Sequence, residues 1–138
     1  MIIKDYQLIK SINSDTFQSF LIYGPNEGLI RENIDIVYKN FSKGTDCEKI
    51  NINGKQLDES ITFLNDEIST ISLFGEKKFL ILESLKEKHA SIIKDALLLN
   101  VKNTCMVVKQ DNLTKSSSIR KLYEASKNHF SLACFDDD

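Results

Sequence analysis

Short apolar runs alternate with stretches of helical periodicity along the chain, and this alternation constrains the fold more than any other feature. The run Phe79-Leu80-Ile81-Leu82 is apolar at every position, which is typical of a strand covered on both faces of a parallel sheet. Residues 19–23 and 104–109 have a similar character. Strands that alternate with helices form mainly parallel sheets with right-handed connections. The sequence therefore predicts an α/β fold, a three-layer α/β/α sandwich with a mainly parallel sheet of about five strands.

The predicted elements follow one another without a repeat or a biased segment. Beyond the three strands above, periodicity and composition predict strands at residues 50–52 and 130–135, and helices at residues 29–41, 57–70, 89–99 and 119–125. A short helix is predicted before the first strand, and Ser116, Ser117 and Ser118 offer an N-cap for the last helix. The length suits one domain and not two, so residues 1–138 are predicted to form a single domain.

The composition excludes several classes of protein. Eighteen basic and twenty acidic residues give a formal net charge of -2, which does not favour a broad nucleic-acid surface. The longest apolar runs, among them residues 96–99, have four residues and are too short for a membrane span, and the amino terminus lacks the pattern of a signal peptide. Cys47, Cys105 and Cys134 are widely separated and predict free thiols in a reducing compartment. We therefore expect a soluble, cytoplasmic protein without a zinc site.

The turn after the first strand is where an α/β fold commonly binds phosphates. A phosphate loop reads G-x-x-x-x-G-K-[ST], in which backbone N–H groups hold the phosphates and the lysine neutralises them. Counted from Gly24, the second glycine position holds Leu29, and the lysine and hydroxyl positions hold Ile30 and Arg31. If Gly28 is the second glycine, Leu29 and Ile30 occupy those last two positions. The turn Gly24-Pro25-Asn26-Glu27-Gly28 is therefore interpreted as a degenerate phosphate loop.

No other set of residues suggests catalysis. A nucleotide hydrolase needs an acidic pair at the end of a central strand, whereas Glu83 stands alone there and is interpreted as a solvated strand end. His89 and His129 are interpreted as solvated side chains, because neither has an evident nucleophile or acid nearby in sequence. We expect no catalytic residue, no cofactor and no metal. Four lysines are interpreted as a solvated rim rather than a nucleic-acid site: Lys77, Lys78, Lys86 and Lys88.

One segment is more apolar than a loop should be. Ile71-Ser72-Leu73-Phe74 lies between the predicted helix at residues 57–70 and the strand that follows, where exposed polar residues are the norm. Leu73 and Phe74 either pack under the helix as part of the core or bind an apolar pocket of a partner. The pattern alone does not separate these two interpretations.

In order along the chain, these segments resemble the delta subunit of the bacterial DNA polymerase III clamp loader. The resemblance rests on three features: the degenerate turn of residues 24–28 after an apolar strand, Ser72-Leu73-Phe74 before the strand at residues 77–82, and the run Met-Val-Val-Lys-Gln-Asp-Asn-Leu-Thr-Lys at residues 106–115. It extends over nearly the whole chain. The combination of these features with a phosphate loop that lacks its lysine is what identifies the family.

The resemblance implies an AAA+-like fold related to the P-loop nucleotide hydrolases, with a degenerate nucleotide site and no ATP hydrolysis of its own. It implies the N-terminal domain of a longer protein, because 138 residues leave no room for the family's lid and collar domains. The implied protein is an accessory subunit of the DNA polymerase III holoenzyme, which as a complex is a DNA-directed DNA polymerase. Other clamp-loader subunits are implied partners, mainly through the further domains, and DNA is contacted only indirectly.

The implied task is to bind the sliding clamp, the beta subunit, and to help open this ring during DNA replication. By the resemblance, Leu73 and Phe74 are the plug that enters a pocket of the clamp, and Ile71 and Ser72 are its shoulder. The helix at residues 57–70 is the lever. Clamp-binding peptides usually carry a glutamine a few residues before the phenylalanine, whereas Ser69 and Thr70 occupy that region here. This departure predicts a lower affinity.

Two other hypotheses remain open at this point. The turn of residues 24–28 is compatible with a small nucleotide-binding or regulatory α/β domain. The chain is also compatible with a generic interaction domain in which Leu73 and Phe74 are buried and only stabilise the fold.

Overall fold

A parallel β-sheet forms the centre of the protein in the computed structural model, which describes residues 1–73 and 75–136. Within these residues the sheet has five strands in the order β2-β3-β4-β1-β5, and each neighbouring pair is parallel. The predicted α/β class and the parallel sheet of five strands are confirmed. The strands are β1 (Gln18–Tyr23), β2 (Cys47–Asn53), β3 (Lys77–Glu83), β4 (Thr104–Gln110) and β5 (Phe130–Ala133).

Helices cover both faces of the sheet, as the predicted sandwich requires. Right-handed connections place the helix after β1 on one face and the later helices on the other, because the chain first crosses the sheet in one direction and then returns. The helices of the described residues are α1 (Glu27–Ser42), α2 (Gly54–Glu59), α3 (Phe63–Ser69), α4 (Ala90–Ala96) and α5 (Ser118–Ala125). Among these residues, no helix is long and apolar enough to cross a membrane.

Each face of the sheet has its own apolar core. On one face, α1 and the amino-terminal segment pack against alternate residues of the strands, including Ile30, Val37, Phe41, Leu8, Phe20 and Phe79. On the other face, α2 to α5 pack against the remaining strand residues, including Leu57, Leu64, Ile93, Tyr123, Leu80 and Met106. The inner strands β1 and β4 contribute to both cores, which explains why their sequences are apolar without alternation.

The predicted helix at residues 57–70 is wrong as a single element. The chain leaves the helix at Ser60, which is extended with φ -158° and ψ 134°, and α3 begins only at Phe63. Ser60 Oγ lies 3.0 Å from Thr62 Oγ1 and accepts the Thr62 N–H at 3.3 Å, and such local bonds compete with helix continuation. Ile61 at the break is 81% exposed, although its spacing predicts a buried position.

Other predicted boundaries shift by a few residues. The helix predicted at residues 89–99 ends at Ala96, and a short 3-10 helix (Glu87–His89) precedes it. Two 3-10 helices, Asp5–Gln7 and Ile9–Ser11, replace the short helix predicted before β1. Ser117 is confirmed as the N-cap of α5, because its side chain accepts the Arg120 N–H at 3.2 Å.

The prediction that both histidines are solvated is wrong. His129 is only 5% exposed, and its Nδ1 accepts the Ser19 N–H at 2.9 Å while its Nε2 donates to the Leu97 carbonyl at 2.9 Å. His89 is also buried, with Nδ1 accepting the Lys86 N–H at 2.9 Å and Nε2 lying 2.8 Å from Asp58 Oδ1. Each imidazole connects backbone or side-chain groups that are distant in sequence.

The interpretation of the lysine cluster as a solvated rim is wrong for two of its four members. Lys78 is buried, and its Nζ donates to the carbonyl oxygens of Glu67 and Thr70 at the end of α3. Lys77 is half-buried, and its Nζ donates to the Phe41 carbonyl in the last turn of α1 at 2.6 Å. The final carbonyls of a helix have no partner within the helix and carry partial negative charge, so an ammonium group stabilises them. Lys86 and Lys88 are exposed, as predicted.

We predict that acidification destabilises the protein through His129. Burial lowers the pKa of this imidazole from its ordinary 6.5, so the unfolded state binds the proton more readily. The contribution of His129 is therefore complete above pH 6.5 and is lost progressively as the pH falls toward the folded-state pKa. Thermal unfolding at pH 7.5 and pH 5.5 should show a lower melting temperature at pH 5.5. In His129→Gln this decrease should be smaller, and an equal decrease in both proteins would contradict the assignment.

We predict that Lys78→Met destabilises the fold. Methionine preserves an apolar stem but removes the ammonium group, so the Glu67 and Thr70 carbonyls lose their shared donor. The free energy of unfolding should fall by about 1–3 kcal/mol, measured by urea denaturation followed by circular dichroism. Lys102→Met, at an exposed position before β4, is the matched control and should change stability by less than about 0.5 kcal/mol. Similar effects of the two substitutions would refute a role for the buried ammonium.

Candidate functional site

The connection between α3 and β3 carries the apolar segment that the sequence singled out. Ile71 is 85% exposed and Leu73 is 86% exposed. Ser72 lies between them, is half-buried and donates from Oγ to Glu48 Oε1 at 2.8 Å. Phe74, the other half of the predicted plug, lies outside the described residues. For Leu73, the interpretation as a buried core residue is wrong, because its side chain faces solvent.

Both ends of this segment are held against the body of the protein. At the first end, Thr70 donates from its backbone N–H and its Oγ1 to the Asp66 carbonyl, at 3.0 Å and 2.6 Å. Its own carbonyl accepts from Lys78 Nζ at 2.6 Å. At the other end, the N–H groups of Glu76 and Lys77 donate to the Asp46 carbonyl at 2.9 Å and 3.1 Å. The exposed apolar side chains therefore project from a segment with fixed ends.

Gly75 is required where the segment turns back toward the sheet. A Cβ atom at this position would lie 2.9 Å from the Asp46 carbonyl oxygen and 3.1 Å from the Glu48 nitrogen. Both neighbours are backbone atoms of the start of β2, so they cannot move aside as a flexible side chain could. The close approach of the two backbones explains the glycine directly after Phe74.

The charges beneath the segment compensate one another. Burial lowers the pKa of Lys78, and the nearby carboxylates of Glu67 and Glu48 oppose this effect. Glu48 thus faces the buried ammonium and also accepts the Ser72 hydroxyl. Neither Glu48 nor Lys78 was predicted to be part of a site, because they lie on two different strands, β2 and β3, and outside the apolar segment.

Exposure alone does not distinguish Leu73 from other apolar side chains of the described residues. Ile61 is 81% exposed and Leu98 is 79% exposed, and each lies in a short connection. What distinguishes the segment is that Ile71 and Leu73, the two most exposed large apolar side chains of the described residues, lie two positions apart. This arrangement presents a small apolar surface that a partner can bury, and a few buried side chains usually carry most of the binding energy of an interface.

The turn after β1 is the other candidate site, and two of the backbone N–H groups there already have partners. Gly24 adopts φ +140°, and a Cβ atom there would lie 2.1 Å from the Cys134 carbonyl oxygen. That oxygen accepts the Asn26 N–H at 3.3 Å. The Asn26 side chain in turn caps α1 by accepting the Leu29 N–H at 3.0 Å. A phosphate loop needs such N–H groups for its ligand, whereas here the segment after β5 binds the Asn26 N–H and the helix cap binds the Leu29 N–H.

Carboxylates predominate in one of the cavities beside this turn. An open cavity of about 420 Å³ lies at the carboxyl ends of β3 and β4, with Glu27, Glu83 and Asp111 among its lining residues. Lys109 also lines it, and its Nζ lies 4.0 Å from Glu83 Oε2. Three carboxylates against one ammonium give this cavity an excess of negative charge, whereas the neighbouring cavity, lined by Gly28, has three basic and three acidic side chains. Among the described residues, no group of three or more histidine, cysteine or acidic residues is arranged to hold a metal ion.

The comparisons with known proteins agree with the resemblance seen in the sequence. The family model for the delta subunit of DNA polymerase III matches residues 20–132, a span that begins within β1, ends within β5 and includes the apolar segment. No curated protein matches the chain at a significant level. Because the family model covers far more than half of the chain, the protein belongs to the DNA polymerase III delta subunit family.

Proposed function

We propose that this protein binds the sliding clamp of DNA polymerase III through residues 71–74 and helps to open the ring. The observation that carries the proposal is the pair Ile71 and Leu73, which face solvent from a segment whose two ends are fixed. Membership of the family gives the protein a role in DNA replication as an accessory subunit of the clamp loader. Replication in bacteria takes place in the cytoplasm, where we expect the protein to work.

The energetics suit a mechanical rather than a catalytic role. Complete burial of a leucine or isoleucine side chain contributes about 1.5–3 kcal/mol, so two or three such side chains can support a specific contact. A bound ligand shifts a conformational equilibrium only by the difference in its affinity for the two states. Clamp opening therefore requires that the segment binds the open ring more tightly than the closed one.

The part of the chain that would transmit this effect is shorter than the sequence indicated. Residues 60–62 separate α3 from α2, and the apolar segment follows directly after α3. Lys78 holds the end of α3 and the start of the segment together through the Glu67 and Thr70 carbonyls. We therefore assign the role of lever to α3 alone, with β3 as its support.

We propose that the degenerate turn at residues 24–28 has no nucleotide function. The proposal is supported by the use of the Asn26 and Leu29 N–H groups within the protein and by the carboxylates that line the adjacent cavity. The domain would then retain the AAA+-like arrangement as a scaffold, without ATPase activity of its own.

We predict that Leu73→Ala weakens binding to the sliding clamp by about 10- to 100-fold, which corresponds to the loss of one buried leucine. Surface plasmon resonance with the purified clamp from the same organism measures the effect. Because Leu73 is 86% exposed, the melting temperature should stay unchanged. Phe74→Ala tests the second half of the plug in the same way.

The matched control is Leu98→Ala, which removes the same atoms from a leucine that is 79% exposed on a different connection. This variant should bind the clamp like the unchanged protein. If Leu73→Ala and Phe74→Ala both retain full affinity, or if Leu98→Ala loses as much affinity as Leu73→Ala, the proposed plug is wrong.

We predict that ATP with magnesium does not stabilise the protein. A ligand present at about five times its Kd adds about 1 kcal/mol to the stability of a folded protein, so even a millimolar Kd gives a measurable shift in melting temperature at several millimolar ligand. Differential scanning fluorimetry at several millimolar Mg-ATP should give unchanged curves. A concentration-dependent increase in melting temperature would instead favour the nucleotide-binding alternative.

A further inference from the structure

A polar network lies directly beneath the exposed apolar segment and joins it to two strands. Glu48 on the edge strand β2 accepts the Ser72 hydroxyl at 2.8 Å. Lys78 on the neighbouring strand β3 donates to the Thr70 carbonyl at 2.6 Å. Residues 70 and 72 are thus held by different strands, and Ile71 lies between the two points of attachment.

We propose that Glu48 is a positioning residue for clamp binding: it holds Ser72 against the sheet, so that Ile71 and Leu73 face outward before the partner arrives. This inference rests on the proposed function, since it concerns how the same segment is presented. Glu48 itself is half-buried and need not touch the clamp.

The geometry of an extended chain supports this assignment. Thr70 has extended backbone angles, φ -78° and ψ 133°, and successive side chains of an extended chain point to opposite sides. In the structure Ser72 is directed toward Glu48, whereas its two neighbours, Ile71 and Leu73, face solvent. The similar exposures of Ile71 and Leu73, 85% and 86%, agree with this alternation.

The charge on Glu48 adds a second, separate contribution. Its carboxylate is among the groups that oppose the lowering of the Lys78 pKa by burial. A glutamine at this position would keep an acceptor for Ser72 but would no longer compensate the ammonium. The two contributions can therefore be separated by experiment, because only the first concerns the presentation of the segment.

Loss of the hydrogen bond between Ser72 and Glu48 should weaken binding to the clamp without removing any contact with it. When only a fraction of molecules present the segment correctly, the apparent Kd increases in inverse proportion to that fraction. One hydrogen bond to a charged, partly exposed group changes such an equilibrium by about 3- to 10-fold. The expected effect is thus smaller than that of removing Leu73 itself.

The test measures clamp binding by Glu48→Ala, Glu48→Gln, Ser72→Ala and the double variant Glu48→Ala, Ser72→Ala. Glu48→Ala should weaken binding about 3- to 10-fold, and Glu48→Gln should stay within about twofold of the unchanged protein because its amide oxygen still accepts a hydrogen bond. In the Ser72→Ala background, Glu48→Ala should have no further effect. Glu32→Ala, which removes an exposed carboxylate from α1, is the control for a change in net charge.

A second readout needs no partner. In the free protein, the heteronuclear NOE of the backbone amides of residues 71–73 should decrease in Glu48→Ala and be retained in Glu48→Gln. A role limited to global stability would lower the melting temperature of both variants without this difference. The readout therefore reports on the order of the segment directly.

The outcomes separate the failure of this inference from the failure of the proposed function. If the unchanged protein does not bind the clamp, the proposed function is wrong and the inference falls with it. If it binds, and Leu73→Ala weakens binding while Glu48→Ala does not, only the inference is wrong. If Glu48→Gln loses as much affinity as Glu48→Ala, the charge of Glu48 and not its hydrogen bond to Ser72 is what supports binding, and a positioning role through Ser72 is refuted. Unchanged amide NOE values in Glu48→Ala would refute it as well.

Discussion

The burial of the two inner strands on both faces is the constraint on which the rest of this structure depends. β1 and β4 lie side by side in the sheet, and Leu21, Ile22, Met106 and Val107 are fully buried. Such strands are stable only when both faces of the sheet are covered by helices. Parallel pairing in turn requires connections that run from the carboxyl end of one strand back to the amino end of the next. These connections determine where each loop of the protein lies.

The edge formed by the carboxyl ends of the strands (the carboxyl edge) and the edge formed by their amino ends (the amino edge) consequently have different properties. At the carboxyl edge, where α/β proteins usually bind ligands, the turn after β1 is occupied by the protein's own backbone through the Cys134 carbonyl. At the amino edge, the connection from α3 into β3 presents Ile71 and Leu73 to solvent. The surface that we propose for the partner thus lies at the opposite edge of the sheet from the turn after β1.

The amino-edge surface combines exposed apolar side chains with a backbone that is held on both sides of them. Large apolar side chains of a loop normally either pack into the core or lie on a mobile backbone. Here the lysine on β3, the glutamate on β2 and the close contact at Gly75 hold the backbone on both sides of the exposed residues. A segment that is ordered before binding loses less conformational entropy when the partner arrives, so more of its contact energy appears as affinity.

Much of this protein was predictable from local patterns, because a strand buried on both faces and an amphipathic helix each have a characteristic period. The strands, α1, the N-cap at Ser117 and the apolar segment all followed from residues close together in the sequence. The break at Ser60 was not evident, since the spacing of Leu57, Ile61 and Leu64 suits a continuous helix. Phe74 lies outside the described residues, so its part in the plug stays a prediction.

What only the tertiary structure decided are the contacts between residues far apart in the chain. His129 is buried because the fold brings the Ser19 amide and the Leu97 carbonyl to its two nitrogens. Lys78 is buried because the end of α3 lies over β3, and Ser72 meets Glu48 only because β2 and β3 are neighbours. The sequence by itself determined the class of fold and the apolar character of the segment, through short-range periodicity. Its presentation depends on polar contacts across strands, which no local pattern of residues encodes.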